Sequence, residues 1–246
     1  NSPPHTTVLN EDLSNIEPST LKEKIGVSSV PVVVGGPPCK GFSLAGKRDK
    51  DDERNDLVFH FFNHAFEYSP EVIVMENVPG ILSMDVLPYV EELCDDNGYD
   101  VRYQKLDASD YGVPQSRERV VTVAIRRDSS ASFSFPKPTV SSPKTVREAI
   151  VDPDLSDLPN HEDTKTNHQQ STVEALDELE FGESRYDNYS ESWKRIHPDS
   201  PAPTIKENHG APFVHPFEPR VGTVRECAIL QSFPDDFEFV GSKSNQ

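Results

Sequence analysis

Two side chains in this sequence of 246 residues are of types that could do covalent chemistry together. Cys39 sits in Gly35-Gly-Pro-Pro-Cys-Lys-Gly-Phe-Ser43, five residues beyond the apolar run Val30–Val34, and Glu76 directly follows the apolar run Val72–Met75. A cysteine attacks as its thiolate, and a neighbouring carboxyl group can handle the proton that accompanies such an attack. Taken singly, each residue has an ordinary reading. A free cysteine is usually a small buried hydrophobe, and a glutamate after a strand can cap the next helix. Placement raises the pair above that reading. Ligands of a parallel sheet bind beyond the carboxyl ends of its strands, so two adjacent strands would carry both groups to one rim.

The elements that would position them alternate along the chain. Val30–Val34 and Val72–Met75 read as buried strands, and residues 101–106 and 120–125 complete the strands. Between the first two, Leu57, Val58, Phe61, Phe62, Ala65 and Phe66 share one helical face. Val86, Leu87, Val90 and Leu93 mark a second helix that should stop at Asn97-Gly98. Strands alternating with helices predict an α/β fold, doubly wound around a mainly parallel sheet. Residues 129–143 are rich in Ser and Pro and read as a linker, and residues 151–200 hold 13 acidic against 4 basic side chains with weak periodicity. Regular structure returns at Thr223-Val-Arg-Glu226, a capping box opening a helix through Leu230. The same tetrapeptide stands at Thr145–Glu148, where Ala149 and Ile150 continue a short helix. The expected organisation is an α/β domain over 1–128, a linker and irregular region over 129–215, and a return to the first domain over 216–246.

Composition sets the class. No run of 18 apolar residues is present, so no membrane span is expected, and the polar first 30 residues do not look like a secretory leader. Three scattered cysteines make no disulfide framework, and the absence of a Cys-x-x-Cys pair argues against zinc. A cytoplasmic monomer without metal is the expectation. The net charge of −18 with only 34% apolar residues fits either a disordered chain or the acidic surface of a halophilic protein. The periodic segments favour a folded, halophilic one.

In order along the chain, five segments resemble the cytosine-5 DNA methyltransferase family. Gly-Gly-Pro-Pro-Cys39-Lys-Gly-Phe-Ser is similar to its nucleophile loop, with Lys40 where glutamine is usual. Arg54-Asn-Asp-Leu57 resembles the opening of the following helix, and Met75-Glu76-Asn77-Val78 its Glu-Asn-Val motif. Gln115-Ser-Arg117-Glu-Arg119 resembles its Gln-x-Arg-x-Arg motif, and Arg220 to Pro234 the segment after its target recognition region. That region would correspond to the irregular stretch before Arg220.

The resemblance implies an S-adenosylmethionine-dependent methyltransferase fold and a double-stranded DNA substrate, in a restriction-modification or solitary system. It also implies a reaction. Cytosine C5 is a poor nucleophile until a thiolate adds at C6, which is covalent catalysis. Cys39 would supply that thiolate, and Glu76, its pKa expected to be raised by burial, would bond the ring at N3. Arg117 and Arg119 would act near the cytosine O2. The target base must leave the duplex stack to meet these groups. Asp12, Pro38 and Leu57 correspond to donor contacts. Ser43, Asn77, Gln115, Arg195, His209 and Arg225 correspond to positions facing substrate or DNA, with His197 and Lys206 as further contacts; Asn77 would also hold the Glu76 turn.

Departures from the family pattern shape the alternatives. A glycine-rich Phe-x-Gly-x-Gly turn is missing from residues 1–34, and the final Asn-Ala-Val helix does not appear before Gln246. Weak donor binding by this chain alone is expected, with completion by a second polypeptide. A DNA-binding remnant or one half of a split enzyme is the competing reading. A tRNA methyltransferase ranks lower, because that class carries Phe-Thr where Phe42-Ser43 stands here.

Overall fold

The computed structural model describes residues 6–38, 56–84, 86–186, 193–206 and 213–241. They form two units, one of residues 1–106 with 118–136, the other of residues 107–117 with 137–246.

The first unit is built on a four-stranded sheet of β1 (Val32–Gly35), β2 (Val72–Asn77), β3 (Tyr99–Asp107) and β4 (Glu118–Arg126), in the order β1-β2-β4-β3. β1 and β2 are parallel, from Val32 opposite Val72 to Gly35 opposite Met75. β4 runs antiparallel to β2, from Val72 opposite Ile125 to Asn77 opposite Val120. The parallel expectation therefore holds for the first pair and not for the second. Residues 108–117 join β3 to β4 without the crossover helix that a parallel return requires.

Helices cover the sheet through apolar stripes. α2 (Asp56–Glu67) buries Val58, Phe61, Phe62 and Ala65, and α3 (Val86–Asp96) buries Val86, Leu87, Val90 and Cys94. They close on Ile73 and Met75 of β2 and on Val120 and Ala124 of β4. Each large side chain so buried contributes about 1.5–3 kcal/mol. Burial pushes the Cys94 thiol up to about 12, so this cysteine is a core hydrophobe. α3 stops as expected at Gly98, whose φ of 82° suits glycine. A helix that the sequence pattern did not suggest, α1 (Pro18–Ile25), packs on α2 through Lys22, which donates to Glu67 O at 2.6 Å.

The second unit has little regular structure: α4 (Gln170–Asp177), α5 (Val224–Leu230), short turns and isolated bridges. Its core gathers Val146, Ala149, Ile150, Leu155, Ile196, Ala202, Phe213 and Leu230. Backbone carbonyls without a ladder still need donors, and buried arginines supply many of them. Both capping boxes form. Thr223 N donates to Glu226 Oε2 at 2.8 Å and Glu226 N to Thr223 Oγ1 at 3.2 Å. Thr145 N donates to Glu148 Oε2 at 2.7 Å and Glu148 N to Thr145 Oγ1 at 3.2 Å. The short helix expected after the second box is a single π-turn, Arg147–Val151. No helix among the described residues is long and apolar enough to cross a membrane, and no cluster among them could hold a metal ion.

Candidate active site

At the carboxyl end of β1, Gly35 and Gly36 lead into Pro37 and Pro38. A Cβ on Gly35 would strike the Phe61 ring, so only glycine lets the strand end lie this close to α2. A Cβ on Gly36 would stand 3.4 Å from Glu76 Oε2, so the loop heading for position 39 passes the Glu76 carboxylate. Asn77 fixes that approach. Its buried amide donates from Nδ2 to Pro37 O at 2.9 Å and accepts at Oδ1 from Val78 N at 2.9 Å. Cys39 and Ser43 lie outside the described residues, as does His209.

Glu76 meets Arg119 through the geometry of the antiparallel pair. Glu76 stands opposite Val121, and Arg119, two residues along β4, is its diagonal neighbour on the same face. Arg119 Nε lies 2.7 Å from Glu76 Oε1. The burial expected to favour a protonated Glu76 is not found: its side chain is 49% exposed and ion-paired.

Arg117, in the second unit, is half-buried, and its backbone is pinned to Asp107. Arg117 N donates to Asp107 Oδ1 at 3.0 Å, and Ser116 Oγ donates to Asp107 Oδ2 at 2.8 Å. Burial opposes the Asp107 charge, but these bonds and that from Ser109 N hold its carboxyl below the usual range. The sequence reading passed over Asp107. Its signal is Asp-Ala-Ser at a strand end, an Asx turn.

The three expected donor contacts, Asp12, Pro38 and Leu57, line one cleft of about 610 Å³ beside β1. The Ser14 hydroxyl and backbone N–H, bonded to Asp12, keep its carboxyl below its ordinary value and therefore an acceptor. Two polar atoms of the cleft wall, His64 Nδ1 and Tyr68 Oη, are buried without a hydrogen-bond partner. An acceptor beside apolar walls suits a flat heteroaromatic ring bearing an amino group.

Residues 4–246 match the family model of the C-5 cytosine-specific DNA methylases. The chain belongs to that family. Among its relatives, the type II methyltransferase M.DdeI of Desulfomicrobium norvegicum is 34% identical, over 98% of this chain and 71% of that protein. M1.HphI of Haemophilus parahaemolyticus is 35% identical, over 100% and 70%. A solved protein encoded in an E. coli prophage, described as a DNA modification methyltransferase, superposes with a TM-score of 0.73 at 28% identity, over 96% of this chain and 78% of that one. The Entamoeba histolytica methyltransferase EhMeth shares the fold, with a TM-score of 0.63 at 14% identity.

Three side chains of the methylase expected to face DNA have internal partners instead. Arg225 is fully buried and donates to Pro159 O at 2.7 Å, to Pro234 O at 3.1 Å and to Phe237 O. Arg195 is buried and donates to His215 O at 3.1 Å, to Pro216 O at 2.7 Å and to Leu176 O. Gln115 is buried, with Nε2 donating to Leu230 O at 3.3 Å. A guanidinium committed to three carbonyls has few donors left for a phosphate or a base. The sequence marked these residues as polar and placed near a recognition region, but it carried no sign of their burial. Asn77 likewise serves as a clamp on the Pro37 loop.

Proposed function

We propose that this methylase transfers a methyl group to C5 of a cytosine flipped out of duplex DNA, with Cys39 as the nucleophile. The observation that carries the reading is the rim on which the Gly36–Pro38 loop, the Asn77 clamp and the Glu76–Arg119 pair meet. The Cys39 thiolate would add to C6, and the displaced π electrons would run towards C5 and the N3–O2 edge. Glu76, as the carboxylic acid, would donate to N3 at that edge, while Arg119, bonded to Glu76, would offset the charge gathering there. C5 would then take the methyl group, the donor sulfur leaving with the bonding electron pair. A base removes the C5 proton, and the Cys39 sulfur leaves as thiolate, which restores the aromatic ring.

S-adenosylmethionine, when bound, supplies the electrophilic methyl group. Asp12, Pro38 and Leu57 would hold its adenine end, a fit supported by the acceptor and apolar walls of their shared cleft. A restriction-modification setting accords with the type II relatives.

Duplex DNA containing 5-fluorocytosine and labelled donor provide the test, with and without a polypeptide supplying the missing Phe-x-Gly-x-Gly turn. A denaturation-resistant adduct is expected with the natural chain and not with Cys39→Ser; no adduct in either mixture would overturn the reading. The net charge of −18 also supports a salt-requiring fold. Loss of circular dichroism on dialysis into low salt is the expected result, and an unchanged spectrum would remove the halophilic reading.

A further inference from the structure

The connection between β3 and β4 is held shut at its base. It leaves from Asp107, the last residue of β3, and returns at Arg117, just before β4. Arg117 O accepts from Ala108 N at 3.1 Å, and Arg117 N donates to Asp107 Oδ1 at 3.0 Å. The residue before it is held as fully. Ser116 N donates to Ala202 O at 2.8 Å, and Ser116 O accepts from Thr204 Oγ1 at 2.8 Å. Every main-chain polar group of Ser116 and Arg117 is therefore paired within the protein, although Ser116 is exposed and water could serve it. One residue earlier, buried Gln115 is anchored to Leu230 O.

Asp107 stands apart among these partners. Ala108 N, Ala202 O and the Thr204 hydroxyl each make one bond to the dipeptide, whereas the Asp107 carboxylate makes two. An Asx turn at a strand end needs only the bond from Ser109 N, at 3.0 Å. The other two reach across the loop, to Arg117 N and to the Ser116 hydroxyl at 2.8 Å. Burial opposes the Asp107 charge and its donors outweigh burial, so both oxygens remain acceptors. Bonds to an ionised group are about twice as strong as neutral ones. The point from which the Arg117 side chain departs is thus set by a carboxylate that lies ten residues away in sequence and directly beneath it in the loop.

We propose that Asp107 is the positioning residue of Arg117, aiming its guanidinium at the O2 edge of the target cytosine without touching the base. This rests on the methyl-transfer reading above. Charge gathers at that edge as Cys39 adds, and donors act there only if they are already in place. A long side chain on a loose backbone would have to find its direction during the reaction. Geometry and charge make opposite demands on position 107. Asparagine keeps an acceptor where Oδ1 stands and has no charge; glutamate keeps the charge and carries it one methylene further.

The test follows the rate of adduct formation on duplexes of randomised sequence containing 5-fluorocytosine, with donor and the complementing polypeptide present. Arg117→Ala should slow the adduct about a hundredfold at saturating DNA, as loss of one donor to a developing charge does. Asp107→Ala should slow it about tenfold or more, with the half-saturating DNA concentration unchanged. The two together should be no slower than Arg117→Ala alone, because Asp107 acts through Arg117. Asp107→Asn should recover most of the rate, and Asp107→Glu should not. Hydrogen exchange at the Arg117 amide should be fast in Asp107→Ala and Asp107→Glu and slow in Asp107→Asn. If Asp107→Ala does not fold, the asparagine and glutamate variants carry the comparison. Losses that multiply in the double variant, or an Asp107→Asn chain as slow as Asp107→Glu, would overturn the positioning role and leave the methylating reading intact. Fast exchange at Arg117 beside an undiminished adduct rate would do the same. A natural chain that forms no adduct overturns both.

Discussion

Thr-Val-Arg-Glu occurs twice in the second unit, and its two copies have different fates. At both sites the threonine and glutamate close the same reciprocal cap, so local sequence alone sets that geometry. Beyond the cap they diverge. In the copy at 145–148, Arg147 is exposed and pairs with Asp199. In the copy at 223–226, Arg225 is fully buried among carbonyls, and Glu226 takes two bonds from Arg220, at 2.9 and 2.7 Å. Four residues can dictate a cap. Whether the arginine between the cap residues becomes scaffold or surface depends on what the rest of the chain packs over it.

Paired substitutions at the two copies would break or sharpen that contrast. Arg225→Ala empties a fully buried site and takes the donor from three part-buried carbonyls, at about 1 kcal/mol for each bond lost. Its unfolding midpoint should collapse in urea, whereas Arg147→Ala, which loses the half-exposed pair with Asp199, should lower it only slightly. Equal midpoints would show that burial does not separate the copies. Glu226→Gln removes the charge opposite buried Arg220, at about 3–5 kcal/mol; Glu148→Gln should barely register in the same titration. Thr223→Ala should cost about 1–2 kcal/mol and Thr145→Ala less, since the cap itself is common to both. A larger loss at Thr145 would mean that the exposed cap nucleates the unit.

Mild acid, in the histidine range, should act on the buried copy first. His161 and His215 flank Glu226, and burial holds both below the ordinary histidine value, against the pull of Glu226. A group whose folded pKa is depressed stabilises above its unfolded value, about 6.5, and loses that contribution as pH falls through the folded one. The melting temperature should therefore drop as pH falls from about 6.5. His215 Nδ1 accepts from Phe217 N at 3.2 Å and Glu218 N at 3.1 Å, so protonation there also removes two turn bonds. A melting temperature flat across that range would refute the coupling.

What could be read in advance follows from which forces leave a trace in side-chain order. β2, α2 and α3 announced themselves through apolar spacing, because each buries one face; β1 was expected to be buried from its run of valines, but Val32 and Val34 are exposed there. α1 did not, since Leu21 is its only buried residue; Pro18 and Gly26 were the available signs. The direction of β4 has no counterpart in its composition, yet it makes Arg119 the diagonal partner of Glu76. The motif around Gln115, Arg117 and Arg119 was legible as a unit, while the Asp107 staple beneath it was not. Burial of Arg195 and Arg225 was invisible for a related reason. Arginines with carbonyl partners look no different in sequence from arginines waiting for phosphate.

The buried guanidiniums of the second unit address main-chain oxygens, atoms that every amino acid possesses. A framework held in this way places few demands on the identity of the loop residues it supports. Outward side chains could be exchanged from one generation to the next while the arginines kept hold of the same peptide groups. Such an arrangement would let the outward surface of the unit drift freely over a scaffold that does not notice the change.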